Sequence, residues 1–199
     1  MGLTQHRNGV ANITEVVNLL LMKGNLGKPG AGACPVRGHS NVQGDRTMGI
    51  YEKPSASFLD TLQSRYQFQP PKEHGYDTVG AIEALNSNNA DFFLSMGGNF
   101  VAATPDTAIV AAGMQRCGMT VSVATKLNRT HVYPGRQAYI IPCLVRSEVD
   151  ERASGHQFVS CENSMSIVSK SQGHRSPASD TLRSEVSIIC DLAEATLAD

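Results

Sequence analysis

The stretch DFFLSMGGNFVAATPDTAIVAAGMQRCGMTVSVAT, residues 91–125, decides the fold. Its first five residues predict a buried strand, and the Gly-Gly that follows predicts a loop. A helix is then expected with Thr104 as its N-cap, a proline at its first position and Gly118 as its terminator. A second strand, residues 119–125, follows directly. Strand, short loop, helix and strand form a βαβ unit, in which the two strands are parallel neighbours.

Further elements extend this unit in both directions. Residues 137–143 predict a third strand, and weaker strand candidates lie in residues 157–163 and 164–170. Helices are predicted over residues 12–23, from Asp77 to Leu85, and from about Asp180 to Leu197. Asn12 with Glu15 resembles a capping box for the first helix, and Ser179 or Asp180 is the expected cap of the last. Residues 51–76 show no sustained hydrophobic periodicity. The predicted fold class is therefore α/β with a mostly parallel sheet.

Composition limits the classes of function. The 199 residues are 41% hydrophobic and carry a net charge of -1, so one globular unit without a basic surface for nucleic acid is expected. The five cysteines are far apart and include no C-x-x-C pair, which argues against a disulfide framework and against a self-contained zinc or iron–sulfur site. Reduced thiols favour a cytoplasmic chain. The apolar runs are too short to span a bilayer, and the N-terminus lacks the apolar segment of a signal peptide.

Two loops follow neighbouring strands of the predicted sheet. The first is Met96-Gly97-Gly98-Asn99, and the second runs from Thr125 to Arg129 and contains Lys126 and Asn128. Ligands of parallel sheets bind beyond the carboxyl ends of the strands, and glycine amides together with a cation suit a nucleotide or pyrophosphate. A tight turn beside ordinary solvated surface explains the same residues without any ligand. G-x-G-x-x-G is absent, so a plain nicotinamide fingerprint does not fit.

A glycine-rich loop, residues 24–50, carries a second set of cations. Its glycines, Gly38 among them, let the backbone approach a ligand closely, and Arg37 offers a permanent charge with a planar set of donors. This combination suits a small oxyanion. The structural alternative is that Arg37 pairs with a carboxylate and that His39 is a surface histidine. Cys34 has no Cys-His pattern and is more simply a buried thiol.

These residues carry a resemblance to a known family. MGLTQH at the start, MKGNLGKPGAG, and CPVRGHSNVQGDRTMG resemble the middle of the catalytic subunit of molybdopterin-dinucleotide oxidoreductases, in the formate dehydrogenase-like branch. MGGN after a strand, TKLNRTH and VSCENSM continue the resemblance over essentially the whole chain. The resemblance implies that residues 1–199 form one Rossmann-like, three-layer domain that binds molybdopterin guanine dinucleotide, with residues 24–50 as an active-site loop.

The resemblance also implies an activity. Such enzymes hold molybdenum or tungsten between two molybdopterin guanine dinucleotides and oxidise formate to CO2, or a related small substrate, with transfer of two electrons to a 4Fe-4S cluster. Arg37 would then lie beside the metal and orient the substrate together with His39, although His39 replaces the Gln of the formate dehydrogenase pattern. The residues that would line one dinucleotide are Gln5, Gly38, Gly97, Gly98, Asn99, Thr125, Lys126, Asn128, Cys143 and Glu185.

The chain lacks other parts of the family pattern. It contains no counterpart of the metal-ligating cysteine or selenocysteine, of the cluster cysteines or of the second dinucleotide domain. We therefore expect a fragment of a larger subunit that is inactive alone, with the remaining domains, an electron-transfer subunit and a small substrate as its partners. Neither a nucleic-acid partner nor a membrane span is expected. The alternative function is a non-catalytic nucleotide-binding or regulatory module that keeps the same fold.

Overall fold

The structure is a computed structural model that describes residues 2–35, 53–163 and 167–197. The chain divides into two compact units, the first comprising residues 1–50 and 160–170 and the second comprising residues 51–159 and 171–199. Arg37, Gly38 and His39, with most of the predicted active-site loop, lie outside the described residues. Within the described ranges, no helix is long and apolar enough to cross a membrane.

Helix α1, Gly9–Met22, is the main element of the first unit. It begins three residues before the predicted start, because the Gly9 N–H already donates to the His6 carbonyl at 2.9 Å. The predicted capping box at Asn12 is therefore wrong, since Asn12 lies within the first turn. Gly24, at φ +62°, follows the helix as predicted. Most of the apolar side chains of α1 are exposed, and Gly9 is its one buried residue.

A two-stranded sheet formed by strands β6, Val159–Glu162, and β7, Val168–Ser171, belongs mainly to the first unit. Strand β6 falls within the first of the two weaker strand predictions, and β7 overlaps the second and ends one residue beyond it, so both strands are confirmed. Asn163 connects the pair, because its backbone N–H donates to the Ile167 carbonyl and its Oδ1 accepts from the Ile167 N–H, both at 3.1 Å. Local side-chain bonding of this kind favours a tight connection between neighbouring strands.

The second unit contains a parallel sheet in the order β1-β2-β3. Its strands are β1, Phe92–Met96, β2, Met119–Ala124, and β3, Gln137–Pro142. Phe93 pairs with Thr120 and Thr120 pairs with Ala138. The three predicted strands, their parallel pairing and the βαβ connection are confirmed. Strands β4, Glu151–Arg152, and β5, Gly155–His156, form a separate antiparallel pair.

The helices of the second unit are α2, Ala56–Tyr66, α3, Thr78–Asn86, α4, Phe100–Ala103, α5, Thr107–Arg116, and α6, Glu185–Leu197, with a 3-10 helix at Arg129–Val132. Asp77 caps α3 as predicted, since its Oδ1 accepts from the Gly80 N–H at 2.8 Å. Helix α2 was missed, although Phe58, Leu62 and Tyr66 recur every four residues within it. Its N-cap is Ser55, whose Oγ accepts from the Phe58 N–H.

The predicted helix starting at Thr104 is replaced by two shorter helices, α4 and α5. The Thr104 hydroxyl donates to the Phe100 carbonyl at 2.6 Å and so belongs to the end of α4. Asp106 is the N-cap of α5, because its Oδ1 accepts from the Ile109 N–H at 3.2 Å. The N-cap assignment to Thr104 is therefore wrong by two residues. Two polar residues that flank Pro105 can both cap a helix, and only the tertiary fold decides between them.

The last helix also begins later than predicted, at Glu185 rather than near Asp180. Ser184 caps it, since its Oγ accepts from the Ser187 N–H at 3.3 Å. Ser179 instead forms a local turn, in which its Oγ accepts from the Thr181 N–H. Arg183 forms an isolated parallel bridge with Cys143, just after β3, so the chain is not yet helical at that residue. Capping by Ser179 or Asp180 is therefore wrong.

The core lies between the helices and one face of the sheet. Buried residues of α3, α4 and α5 form one cluster with the residue before Gly118: Leu85, Val101, Val110, Ala111, Met114 and Cys117. Phe93 packs against this cluster from β1, and its ring lies 5.0 Å from that of Phe100. Residues alternate between faces along a strand, so Phe92 lies on the opposite face, where it is more than half exposed. The arrangement is a mixed α/β unit around a parallel sheet.

Candidate functional site

The carboxyl ends of the three parallel strands lead into the candidate site. Strand β1 continues into the first loop, Gly97–Asn99, and β2 continues into the second loop, Thr125–Asn128. The Gly97 N–H donates to the Val123 carbonyl at 2.8 Å, so the first loop begins while still attached to β2. The predicted placement of both loops at one edge of the sheet is thereby confirmed.

The two glycines of the first loop adopt a conformation that other residues avoid. Gly97 and Gly98 have φ values of +63° and +69°, which other L-residues adopt only at a steric cost. A Cβ added to Gly98 would meet no atom within 4 Å, and one added to Gly97 would meet only Glu185 Oε1, at 3.8 Å. The backbone beside these glycines is therefore open to a ligand.

Asn128 joins the two loops. Its Nδ2 donates to the Gly98 carbonyl at 2.6 Å, across 30 residues of sequence. Its Oδ1 accepts from the Thr130 N–H at 2.9 Å, and its own N–H donates to His131 Nδ1 at 2.9 Å. Both ends of the Asn128 side chain are therefore used within the protein. Its contribution to a ligand site is to hold the first loop in place.

Thr130 makes the second connection between the loops. It is 5% exposed, and its Oγ1 accepts from the Val101 N–H at 3.1 Å and donates to Asn99 Oδ1 at 3.3 Å. Sequence reasoning missed both Thr130 and His131. The local signal was Asn128 followed two residues later by Thr130, a pattern typical of an Asx turn. Nothing in the local sequence indicated the bonds to residues 99 and 101.

His131 fixes the start of the 3-10 helix. Because Nδ1 accepts a hydrogen bond from the Asn128 N–H, a neutral His131 ring has its N–H at Nε2. Nε2 is buried and has no hydrogen-bond partner among the described residues. The ring therefore serves the conformation of the second loop through one nitrogen.

Cys143 follows β3 and is the buried residue among the predicted site residues that the structure describes. It is 3% exposed, and its N–H donates to the Ala124 carbonyl at 3.3 Å. Burial raises the pKa of the thiol, and the carboxylates of Glu185 and Glu148 raise it further. The thiol therefore stays protonated at neutral pH, which is the form that neither ligates metals nor attacks substrates.

The charged residues at this edge are exposed. Lys126 has no hydrogen bond or ion pair with any described residue, and Thr125 beside it is also exposed. Glu185 lies in the first turn of α6 and approaches Gly97. Gln5 is exposed in the turn before α1, within the first unit. Over the described ranges, no group of three or more His, Cys, Asp or Glu side chains could hold a metal ion.

Comparison with known proteins gives sequence relatives over the whole chain. No protein-family model matches it. It is 55% identical over 195 residues to a protein of Mycobacterium bovis named "Uncharacterized oxidoreductase Mb2924c", covering 98% of this chain and 25% of that protein. It is 49% identical over 197 residues to "Protein YdeP" of Escherichia coli K12, covering 99% of this chain and 26% of that protein.

A shorter match reaches a Staphylococcus haemolyticus protein whose name assigns it provisionally as a formate dehydrogenase. It is 39% identical over 77 residues, covering 39% of this chain and 8% of that protein. The chain spans about a quarter of the length of the relatives that it matches throughout, as expected for a domain of a larger protein. Together these similarities support an oxidoreductase family for this chain.

Proposed function

We propose that this chain is a Rossmann-like domain that binds molybdopterin guanine dinucleotide within a larger oxidoreductase of the formate dehydrogenase type. The single observation that carries the proposal is the hydrogen bond between Asn128 and Gly98, which joins the two strand-end loops beside open glycine backbone. Ligand sites of parallel α/β sheets are built from such loops. The oxidoreductase name of a 55% identical relative supports the oxidoreductase part of this proposal.

The exposed groups of the two loops fit the parts of a guanine dinucleotide. Gly97 and Gly98 allow close approach of a pyrophosphate, and Lys126 is a free cation among the described residues. Glu185 offers a carboxylate that can accept from the exocyclic amine of guanine. Asn99 has an amide nitrogen without a described partner. These residues would hold the dinucleotide, together with Thr125 and the backbone of Cys143. Gln5, in the first unit, is a further candidate contact on the family resemblance alone.

When bound, the cofactor supplies two-electron exchange between its metal and a small substrate. This chain would contribute binding and orientation. Arg37, in the P-V-R-G motif, would attract and orient a small anionic substrate such as formate, with His39 beside it. Gly38 would allow the backbone between them to approach the cofactor.

Each of the two units exposes large apolar side chains on one of its helices. Val10 of α1 is 86% exposed, and Val186 and Leu192 of α6 are about half exposed. Exposed apolar side chains on a helix of each unit suit contact with further protein. Further domains of a longer polypeptide would cover it, in agreement with the quarter-length match to the relatives.

The test is cofactor analysis of the full-length protein that contains this chain. Molybdenum or tungsten is measured with the guanine nucleotide released by acid hydrolysis, and formate-dependent dye reduction is run on the same sample. We expect metal together with guanine nucleotide. A natively purified protein with neither would overturn the proposal and favour a non-catalytic module.

A matched pair of variants tests the site itself. Lys126→Ala removes the proposed phosphate contact, and such charged contacts are worth about 1.5–3 kcal/mol, so GDP affinity of the chain should fall roughly tenfold or more. Lys72→Ala removes another exposed lysine, in the segment before α3, and should leave GDP affinity unchanged. Equal affinity of the two variants for GDP would exclude Lys126 from the site.

A further inference from the structure

We infer that Thr130 is a positioning residue whose buried hydroxyl holds Asn99 with its amide nitrogen free to donate to the bound nucleotide. This inference rests on the proposed dinucleotide function. Thr130 itself is out of reach of a ligand, because it is 5% exposed and its hydroxyl contacts Val101, which is fully buried. Any effect of Thr130 on binding must therefore pass through the first loop.

The hydrogen bonds of Thr130 determine how Asn99 is oriented. A hydroxyl has one proton to donate, and the proton of Thr130 goes to Asn99 Oδ1 at 3.3 Å. The same oxygen accepts from the Val101 N–H at 3.1 Å. Asn99 thus turns its carbonyl oxygen toward the protein, and its Nδ2 keeps two hydrogens with no described partner. Phosphate and guanine oxygens accept hydrogen bonds, so Nδ2 is the matching group.

The position of Thr130 is itself fixed by the second loop. Its N–H donates to Asn128 Oδ1, and Asn128 in turn donates to the Gly98 carbonyl and, through its backbone, to His131 Nδ1. The hydrogen bonds therefore run from the His131 ring through both loops to Asn99. Because the network crosses the edge twice, at Gly98 and at Asn99, it sets the spacing of the loops as well as the orientation of one side chain.

Two variants of Thr130 separate this role from simple packing. Thr130→Val keeps the branched shape and removes the hydroxyl, while Thr130→Ser keeps the hydroxyl. The matched control is Thr120→Val, because Thr120 is equally buried and its Oγ1 also accepts a backbone N–H, from Gly135 at 3.1 Å, at the amino end of the sheet. We measure GDP affinity by calorimetry, and hydrogen exchange of the Asn99 and Val101 amides, in each variant of the chain.

The expected pattern is specific. Thr130→Val weakens GDP binding about tenfold and speeds exchange at Val101, whereas Thr130→Ser stays within about twofold of the wild type in both. Thr120→Val loses thermal stability but keeps the wild-type GDP affinity and the wild-type exchange at Val101. Wild-type affinity in Thr130→Val, or an equal loss in Thr120→Val, overturns the positioning role.

The same experiment distinguishes failure of the proposed nucleotide site from failure of the proposed role of Thr130. If the wild-type chain binds no GDP, the nucleotide site is wrong, and exchange alone decides the role of Thr130. Faster exchange at Val101 in Thr130→Val but not in Thr120→Val would then still show that the hydroxyl holds the start of α4, directly after the first loop. Unchanged exchange in Thr130→Val would overturn that role as well.

Discussion

The two ends of the parallel sheet use glycine for opposite reasons. At the amino end, Gly118 precedes β2 and Gly135 lies just before β3. A Cβ at Gly118 would lie 2.7 Å from the Asp91 carbonyl oxygen, and one at Gly135 would lie 2.7 Å from the Cys117 carbonyl oxygen. Neither glycine has a positive φ. Close packing of backbone on backbone therefore requires glycine at this end.

At the carboxyl end the reverse holds. Gly98 has a φ of +69°, yet a side chain there would meet no atom within 4 Å. The backbone conformation requires glycine, and the space beside it is open. A folded sheet thus has one end closed by packing and another end with room for a ligand. Glycine in a sequence indicates neither case by itself, and the neighbouring atoms decide which applies.

The largest effect is expected from Gly135→Ala at the closed end. The added Cβ would collide with a carbonyl oxygen that already accepts from the Arg136 N–H at 3.0 Å, so the two chain segments must separate. Overpacking of this kind costs about 3 kcal/mol of the free energy of unfolding. Urea unfolding measures it, with Gly75→Ala as the control at an exposed, open position. A loss of unfolding free energy no larger than that of Gly75→Ala would mean that the amino end of the sheet accommodates the added methyl group.

Gly98→Ala at the open end should have a smaller effect on stability and a larger one on binding. The strained φ costs about 1 kcal/mol, while the methyl group occupies the space beside the ligand-facing backbone. Gly155→Ala is the matched control, since Gly155 has a φ of +100° and is open, but lies in the β4–β5 pair. Both variants should lose similar stability in urea unfolding, and only Gly98→Ala should lose GDP affinity, about tenfold. Equal GDP affinity in the two would contradict an open ligand end.

The sequence predicted the strands, helices and local caps better than the hydrogen bonds that join the two strand-end loops. The βαβ unit and the Asp77 cap follow from local periods and local hydrogen bonds, which short segments determine by themselves. The bonds of Thr130 to Asn99 and Val101 span 31 and 29 residues, and depend on how two loops pack after folding. No period or cap pattern encodes such a distance.

The errors at helix starts have the same origin. Thr104 and Asp106 are both good caps, and the short helix α4 uses the first of them at its end. Asn12 resembles a cap, but the turn at His6 starts α1 earlier. In each case the contacts of the preceding segment decide the boundary. The first helix, α3 and the last helix were predicted as helices, whereas α2 was missed although Phe58, Leu62 and Tyr66 recur every four residues within it.

The smallest expected effect is on the pH dependence of stability and concerns Cys143, the buried residue that follows β3. Its pKa is raised mainly by burial, so as pH rises the unfolded chain releases the thiol proton first, near the ordinary value of about 8.5. The folded state binds more protons above that pH, and stability therefore falls there by less than about 1.4 kcal/mol per pH unit. Urea unfolding at pH 7 and pH 9.5 should show a smaller alkaline loss in Cys143→Ala than in the wild type.

Cys190→Ala, at an exposed thiol of α6, should keep the wild-type decline. Equal alkaline losses in all three proteins would mean that the Cys143 thiol is solvated, and that β3 also ends in the open part of the edge. A smaller loss in Cys143→Ala alone would mean that the thiol is packed inside the protein in solution as well. That result would leave only the backbone of Cys143 available to a ligand at this edge.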